Sequence, residues 1–205
     1  MTDLQRAPMP GAEELTDHLR DRWSVSVFDD AHELSADQIR RLLAAARWAP
    51  SAGNSQPWSF VVATRGSAAH AVLVKHLSRG NSGWVPRASA VFITAAQIGT
   101  DPEGNGPTYS DYAYYDLGQA AAHLTVQAAA MGLSSHQFAG FDHDAVAAEL
   151  GVPGHWRVMT GIAVGVRGNP ADVDPRDAER EDRERTRKPL SEIAYGARWG
   201  QPWEG

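Results

Sequence analysis

The run Arg47-Trp48-Ala49-Pro50-Ser51-Ala52-Gly53-Asn54-Ser55-Gln56-Pro57-Trp58 sets turn formers, small hydroxyls and amides between an amphipathic helix and a strand. Pro50 disfavours helix at Ala49. Ala52 and Gly53 let the backbone approach another group closely, and Ser51, Asn54 and Gln56 offer neutral donors and acceptors without a fixed charge. Such a loop suits a flat heterocycle edged with carbonyls and nitrogens, or a polyol. A helix-capping turn that simply leads into a strand is the alternative reading of the same residues.

Working outward, Leu34 to Trp48 has helical periodicity: Ser35 can cap the first turn, Gln38 follows three residues later as in a capping box, and Ile39, Leu42, Leu43 and Ala46 form one apolar stripe. Glu13 to Arg22 and Ser67 to Leu77 have helical composition. Trp58 to Ala63, Ala90 to Ala95 and Met159 to Val166 read as strands, and Ser134 to Phe141 can be a fourth. Tyr112 to Met131 is the longest periodic segment, with Leu117, Ala121, Leu124 and Ala128 on one face and Gly132 as its stop. Asp142 caps Ala145 to Leu150. Beyond Gly168 the apolar pattern fades, and the Pro- and charge-rich stretch Asn169 to Lys188 has the composition of a solvated arm. Trp199 and Trp203 then return, as if the end of the arm docks on something.

The 205 residues suit one domain, divided into a core over 1–168 and an arm of the same domain over 169–205. No apolar run approaches the roughly 18 residues of a membrane span. Met1 to Gly11 has no apolar segment behind a basic one, so the cytoplasm is the expected location. With no cysteine, thiolate chemistry and Cys-ligated clusters are excluded, and any redox chemistry must use a bound cofactor. The net charge of −6 disfavours a nucleic-acid partner. His70 and His76, like His136, His143 and His155, lack a spacing that puts two metal ligands on one helix face. No G-x-S-x-G elbow is present. The Gly-rich stretch Gly99 to Pro107 has no P-loop Lys after it and reads as a mobile loop, part of a substrate lid.

Taken in order, five segments resemble the FMN-dependent nitroreductase family. Pro50, Ser51, Ala52 and Asn54 match its APS-x-x-N-x-QPW run. Arg22, Ser24 and Phe28 match an RRS-x-R-x-F entry that holds the flavin phosphate and pyrimidine edge; Trp23 replaces the second Arg, and Ser26 replaces a cation usually placed near flavin N1 and O2. Asn81 matches an Asn that contacts the pyrimidine, with Trp84 where some members have Lys. Gln137, Phe138, Ala139 and Gly140 match the segment whose backbone N–H groups reach N5 and O4, with Ala139 where some members carry Glu. Arg185 and Arg187 match a basic-x-basic-x-Pro-Leu element that binds the phosphate, and alternate cations in an extended stretch do point to one side. Taken alone, Arg22 reads as a surface arginine, Asn81 as a loop residue, and the charged run as a solvated face.

The resemblance implies an α+β fold, a three-layer α/β/α arrangement around a central mixed, mainly antiparallel sheet, and an obligate homodimer in which Pro50 to Asn54 reach the partner's flavin. It implies FMN as cofactor, NADH or NADPH as donor, and ping-pong two-electron reduction of a small-molecule acceptor such as a nitroaromatic or quinone. No side chain need act as acid or base, because the flavin carries the chemistry. Two other readings stand beside it: a nitroreductase-like flavin dehydrogenase that oxidises a natural-product substrate, and a flavin-binding protein without turnover.

Overall fold

Ala90–Gln97 is apolar almost throughout, and it forms the strand buried on both faces, as a continuous hydrophobic run should. The computed structural model describes residues 11–181, 183 and 185–204; what the sequence suggested for residues 1–10 falls outside the described residues. Helices α1 (Asp17–Arg20), α2 (Ala36–Arg47), α3 (Ala68–Lys75), α4 (Ala113–Ala130), α5 (His143–Glu149) and α6 (Pro175–Glu181) alternate with strands β1 (Trp58–Thr64), β2 (Ala90–Gln97), β3 (Ser134–Phe138) and β4 (Trp156–Gly165). The sheet order is β1-β2-β4-β3.

All three strand pairings are antiparallel, with a register shift between Thr94 and Ala95 where β2 meets β4. A parallel component enters through the isolated bridge between Ser24 and Ser135. Alternation along each strand divides the core in two. Phe92, Ile162 and Val164 face Leu42 and Ala46 of α2 and Ala120, Leu124 and Ala128 of α4. Val91, Ile93 and Ala163 face Leu73 of α3, Val146 of α5 and the aromatic group Phe28, Trp84, Phe138 and Phe141. The result is a three-layer α/β/α arrangement. Ser35 caps α2 as its sequence suggests, accepting from the Gln38 backbone while Gln38 Oε1 accepts from the Ser35 N–H at 2.8 Å.

Several segments depart from the sequence reading. Only Asp17–Arg20 of the Glu13–Arg22 stretch is helical. β3 stops at Phe138 because the chain turns at Ala139 and Gly140, where Phe141 N bonds back to Ala139 O. The Gly99–Pro107 stretch is a docked turn and not a free loop: Gly99 bridges Thr108, Gly154 N donates to Pro102 O at 3.0 Å, and Gly104 packs against the Gly154 backbone. The supposed solvated arm contains α6, with Asp177 and Glu181 buried. No helix among the described residues is long and apolar enough to cross a membrane.

Leu124 is fully buried between α2 and the sheet. Leu124→Ala should lower unfolding free energy by about 2–5 kcal/mol, the usual cost of lost burial plus a cavity. Urea denaturation of both proteins measures it.

Candidate functional site

Residues 22–28 run as an extended ribbon whose ends are fastened to different strands. Ser24, exposed, bridges Ser135 at the start of β3, and Phe28 bridges Arg167 just beyond β4. The ribbon carries Arg22 and Trp23, both half-buried, out to the chain that follows α6. There Arg185 Nη1 donates to the Arg22 carbonyl at 2.7 Å, and the Arg185 guanidinium lies 6.0 Å from the Trp23 ring. Arg167 lies over the same ring at 5.0 Å.

Arg22, Arg185 and Arg187 share one cleft of about 780 Å³, with Lys188 and Arg20 also on its walls and no carboxylate among the described lining residues. Arg20 is already neutralised by Asp17 and Asp21. Arg22 is not: burial, and then the neighbouring Arg187 and Arg185 guanidiniums, push its pKa below the ordinary arginine value. Three like charges, two half-buried and Arg187 exposed, give the cleft chemistry suited to an anion. Leu15, Leu19, Leu190 and Ile193 complete the cleft as an exposed apolar rim.

The residue that organises this cleft went unnoticed in the sequence. Glu181, at the end of α6, is 1% exposed. Its Oε1 accepts hydrogen bonds from the Ser26 and Val27 N–H groups, its Oε2 accepts from Trp23 Nε1 at 3.2 Å, and Arg167 Nε lies 3.4 Å from Oε2. The helix itself is seated over residues 79–83: Arg180 Nη1 donates to Gly80 O at 2.8 Å, Arg176 donates to Arg79 O, and Asp177 fills the space beside Gly83. The only available signal was the i, i+4 spacing of Asp177 and Glu181, which puts both acids on one helix face without saying that the face is buried.

The expected pyrimidine and N5 contacts meet one another at the end of β3. Asn81 Nδ2 donates to Gly140 O at 3.1 Å, while Asn81 Oδ1 accepts from Trp84 Nε1 at 3.1 Å. A Cβ at Gly140 would fall 2.5 Å from Asn81 Nδ2 and 2.7 Å from Ser78 Oγ, so any other residue there would displace those two side chains. Gln137 is turned to the α4 side, donating to Thr125 Oγ1 at 2.9 Å, and Phe138 lies buried over Gly161. Ala139 is exposed. Trp84, 1% exposed and stacked 4.1 Å from the His136 ring, is a core residue.

The Pro50–Asn54 loop stands elsewhere. Ala52 N donates to the buried Asp116 at 3.1 Å near the start of α4, Ser51 Oγ accepts from Gln56 N, and Tyr109 Oη donates to Ser55 O. Asn54 and Gln56 have φ of 56° and 50°, uncommon for residues with a Cβ. Arg22, by contrast, borders the far end of α4 beside Ala129 and Gly132. At 1.5 Å per residue, Asp116 and Ala129 are about 20 Å apart along the helix axis. One chain therefore does not bring the loop to the arginines.

The sequence profile that defines the nitroreductase family matches residues 19–81 and 65–166. The chain belongs to the nitroreductase family. It is 40% identical over 126 residues to an uncharacterised 15.4 kDa protein of Mycolicibacterium smegmatis, covering 62% of this chain and 81% of that one. A putative NADH dehydrogenase/NAD(P)H nitroreductase of Archaeoglobus fulgidus is 27% identical over 175 residues, covering 80% and 92%. Among solved structures, an oxidoreductase containing FMN superposes with a TM-score of 0.83 at 29% identity, covering 98% of this chain and all of that one.

Two positions where this nitroreductase-family chain departs from its family's pattern now have a physical setting. Ser26 is 2% exposed, and the charged group beside it is the Glu181 carboxylate rather than a cation. Trp84 puts an indole on His136, whose Nδ1 bonds the Val25 carbonyl at 2.8 Å. Burial dominates and lowers the His136 pKa below 6.5, against the opposing pull of that hydrogen bond and of Glu181. Below pH 6.5 the unfolded chain thus binds more protons at this residue than the folded chain. Stability present above that pH is lost as pH falls through the folded value. His136→Gln should therefore show less loss of stability than wild type between pH 7.5 and pH 5.5, as measured by urea midpoints.

Proposed function

We propose that the protein binds one FMN per chain and uses it for NADH- or NADPH-driven two-electron reduction of small acceptors, nitroaromatics and quinones among them. The observation that carries this reading is the cluster of Arg22, Arg185 and Arg187. Its charge, its lack of a carboxylate among the described lining residues, and the repulsion felt by Arg22 fit a phosphomonoester dianion. Asn81 and the main chain of Gln137 to Gly140 would take the polar edge of the ring, with Trp23, Ser24 and Ser26 on the ribbon beside it. When bound, FMN supplies hydride chemistry at N5. The protein's residues bind and orient it, and solvent serves as the proton source.

We further propose that the site is completed by a second chain. Pro50, Ser51, Ala52 and Asn54 are too distant from the arginines to join them within one chain, yet their loop is held in a costly conformation by Asp116 and Tyr109. In this reading residues 169–205 are an arm of the same domain that contacts the phosphate and wraps the partner. The 90% exposure of Trp199 and the 64% exposure of Trp203 support that role. A flavoprotein of this design should sediment as a dimer, and a monomer that keeps FMN would overturn the two-chain site.

The purified protein should be yellow and release FMN on denaturation. Arg187→Ala should weaken FMN binding by about 1.5–3 kcal/mol, the worth of a hydrogen bond to a charged group, read from flavin fluorescence quenching. In an anaerobic titration NADH or NADPH should bleach the flavin absorbance rapidly. Bleaching by an organic substrate without pyridine nucleotide would instead support the dehydrogenase reading, and no bleaching by either would support a binding protein without turnover.

A further inference from the structure

We propose that Glu181 is the positioning residue for the phosphate end of the cofactor site, an inference that rests on the FMN reading. It sets how strongly the protein prefers the phosphorylated flavin over the bare one. Glu181 touches the ribbon that begins at Arg22 at three points: the Trp23 indole, the Ser26 N–H and the Val27 N–H. The same residue ends α6, and Arg185 follows only four residues later. Four residues can span at most about 14 Å. The carboxylate therefore ties the origin of the C-terminal arm to the ribbon within a short tether of the point where Arg185 bonds the Arg22 carbonyl.

The charges give that tie its purpose. Arg22, Arg185 and Arg187 repel one another, and Arg22 has no anionic partner among the described residues. Without a restraint the two segments would drift apart until solvent screened them. A buried side chain that accepts from two backbone N–H groups and an indole N–H resists that drift through three hydrogen bonds to one ribbon. It does so from outside the described lining of the cleft in which Arg22 and Arg187 stand. Arg167 Nε, 3.4 Å from Oε2, sets a guanidinium beside the buried carboxyl group.

The test separates positioning from general stability by comparing FMN with riboflavin, which lacks the phosphate. Dissociation constants for both are measured by fluorescence on wild type, Glu181→Gln and Glu181→Asp. In Glu181→Gln an amide N–H₂ group replaces one acceptor amid donors. FMN affinity should drop about 10- to 100-fold, the range for a lost hydrogen bond to a charged group, while riboflavin affinity changes by less than about threefold. Glu181→Asp keeps a carboxyl group but shortens its reach to the ribbon, and it should give a smaller loss of the same kind; it decides the matter should Glu181→Gln fail to fold. Equal losses for both flavins, or an FMN preference that survives substitution, would overturn the positioning role alone. A wild-type protein with no preference for FMN would overturn the cofactor reading itself.

Discussion

Arg22, Arg185 and Arg187 carry like charges into one cleft, where Arg187 is exposed and the half-burial of Arg22 and Arg185 weakens the solvent screening of their repulsion. Much of the surrounding structure acts to hold that arrangement. The ribbon from Arg22 to Phe28 is pinned at one end to β3 and at the other to the residue after β4, so Arg22 cannot swing away without loosening the sheet edge. The opposing segment is held by α6, whose Arg176 and Arg180 grip the carbonyls of Arg79 and Gly80. Glu181 joins the two. A bound dianion would relieve the repulsion, which makes the ligand part of the electrostatic balance and not an addition to a finished fold.

The sheet supplies the rigidity on which this depends. β2 is apolar on both faces and lies between β1 and β4, so its register is fixed by burial on two sides. β4 then positions β3, and the short β3 ends where Gly140 must pass within contact of Asn81 and Ser78. That close passage places the backbone of Ala139 and Gly140 at the edge of the layer and couples it to the turn that α6 covers. The loop from Pro50 to Asn54, at the other end of α4, is anchored to a different support, the buried Asp116.

Much of this was legible in the sequence, and the boundary between what was and was not is physical. Periodicity revealed α2 and α4 because their apolar stripes recur at helical spacing, and the Ser35–Gln38 capping box was read as the structure shows it. The strands were legible because their apolar runs are bounded by turn residues. α6 was not: Pro175–Glu181 contains Pro, Arg, Asp, Ala and Glu, a composition that normally faces solvent, and its burial arises from polar partners far away in sequence. Likewise Gly99–Pro107 looked mobile because its residues lack apolar character, yet backbone bonds to the Gly154 turn hold it. Long-range polar contacts leave no local pattern. The site residues divide the same way: Arg22, Arg185 and Arg187 could be associated only through a family likeness, while Asn81 and Gly140 were named without any hint that they bond to each other.

The distribution of charge distinguishes this chain from the pattern it resembles. Where the resemblance implied cations near the ring, the structure has a buried serine beside a carboxylate at Ser26 and a core indole at Trp84. Arg20, Arg22, Arg185, Arg187 and Lys188 line the cleft, and Arg167 lies against the Glu181 carboxylate and the Trp23 ring. Under the proposed reading, attraction for the cofactor is therefore concentrated on its phosphate, and the ring is held by neutral amides, backbone groups and the partner's uncharged loop. In that reading Glu181, bonded to Trp23, Ser26 and Val27, stands between the phosphate end and the ring end of the one site.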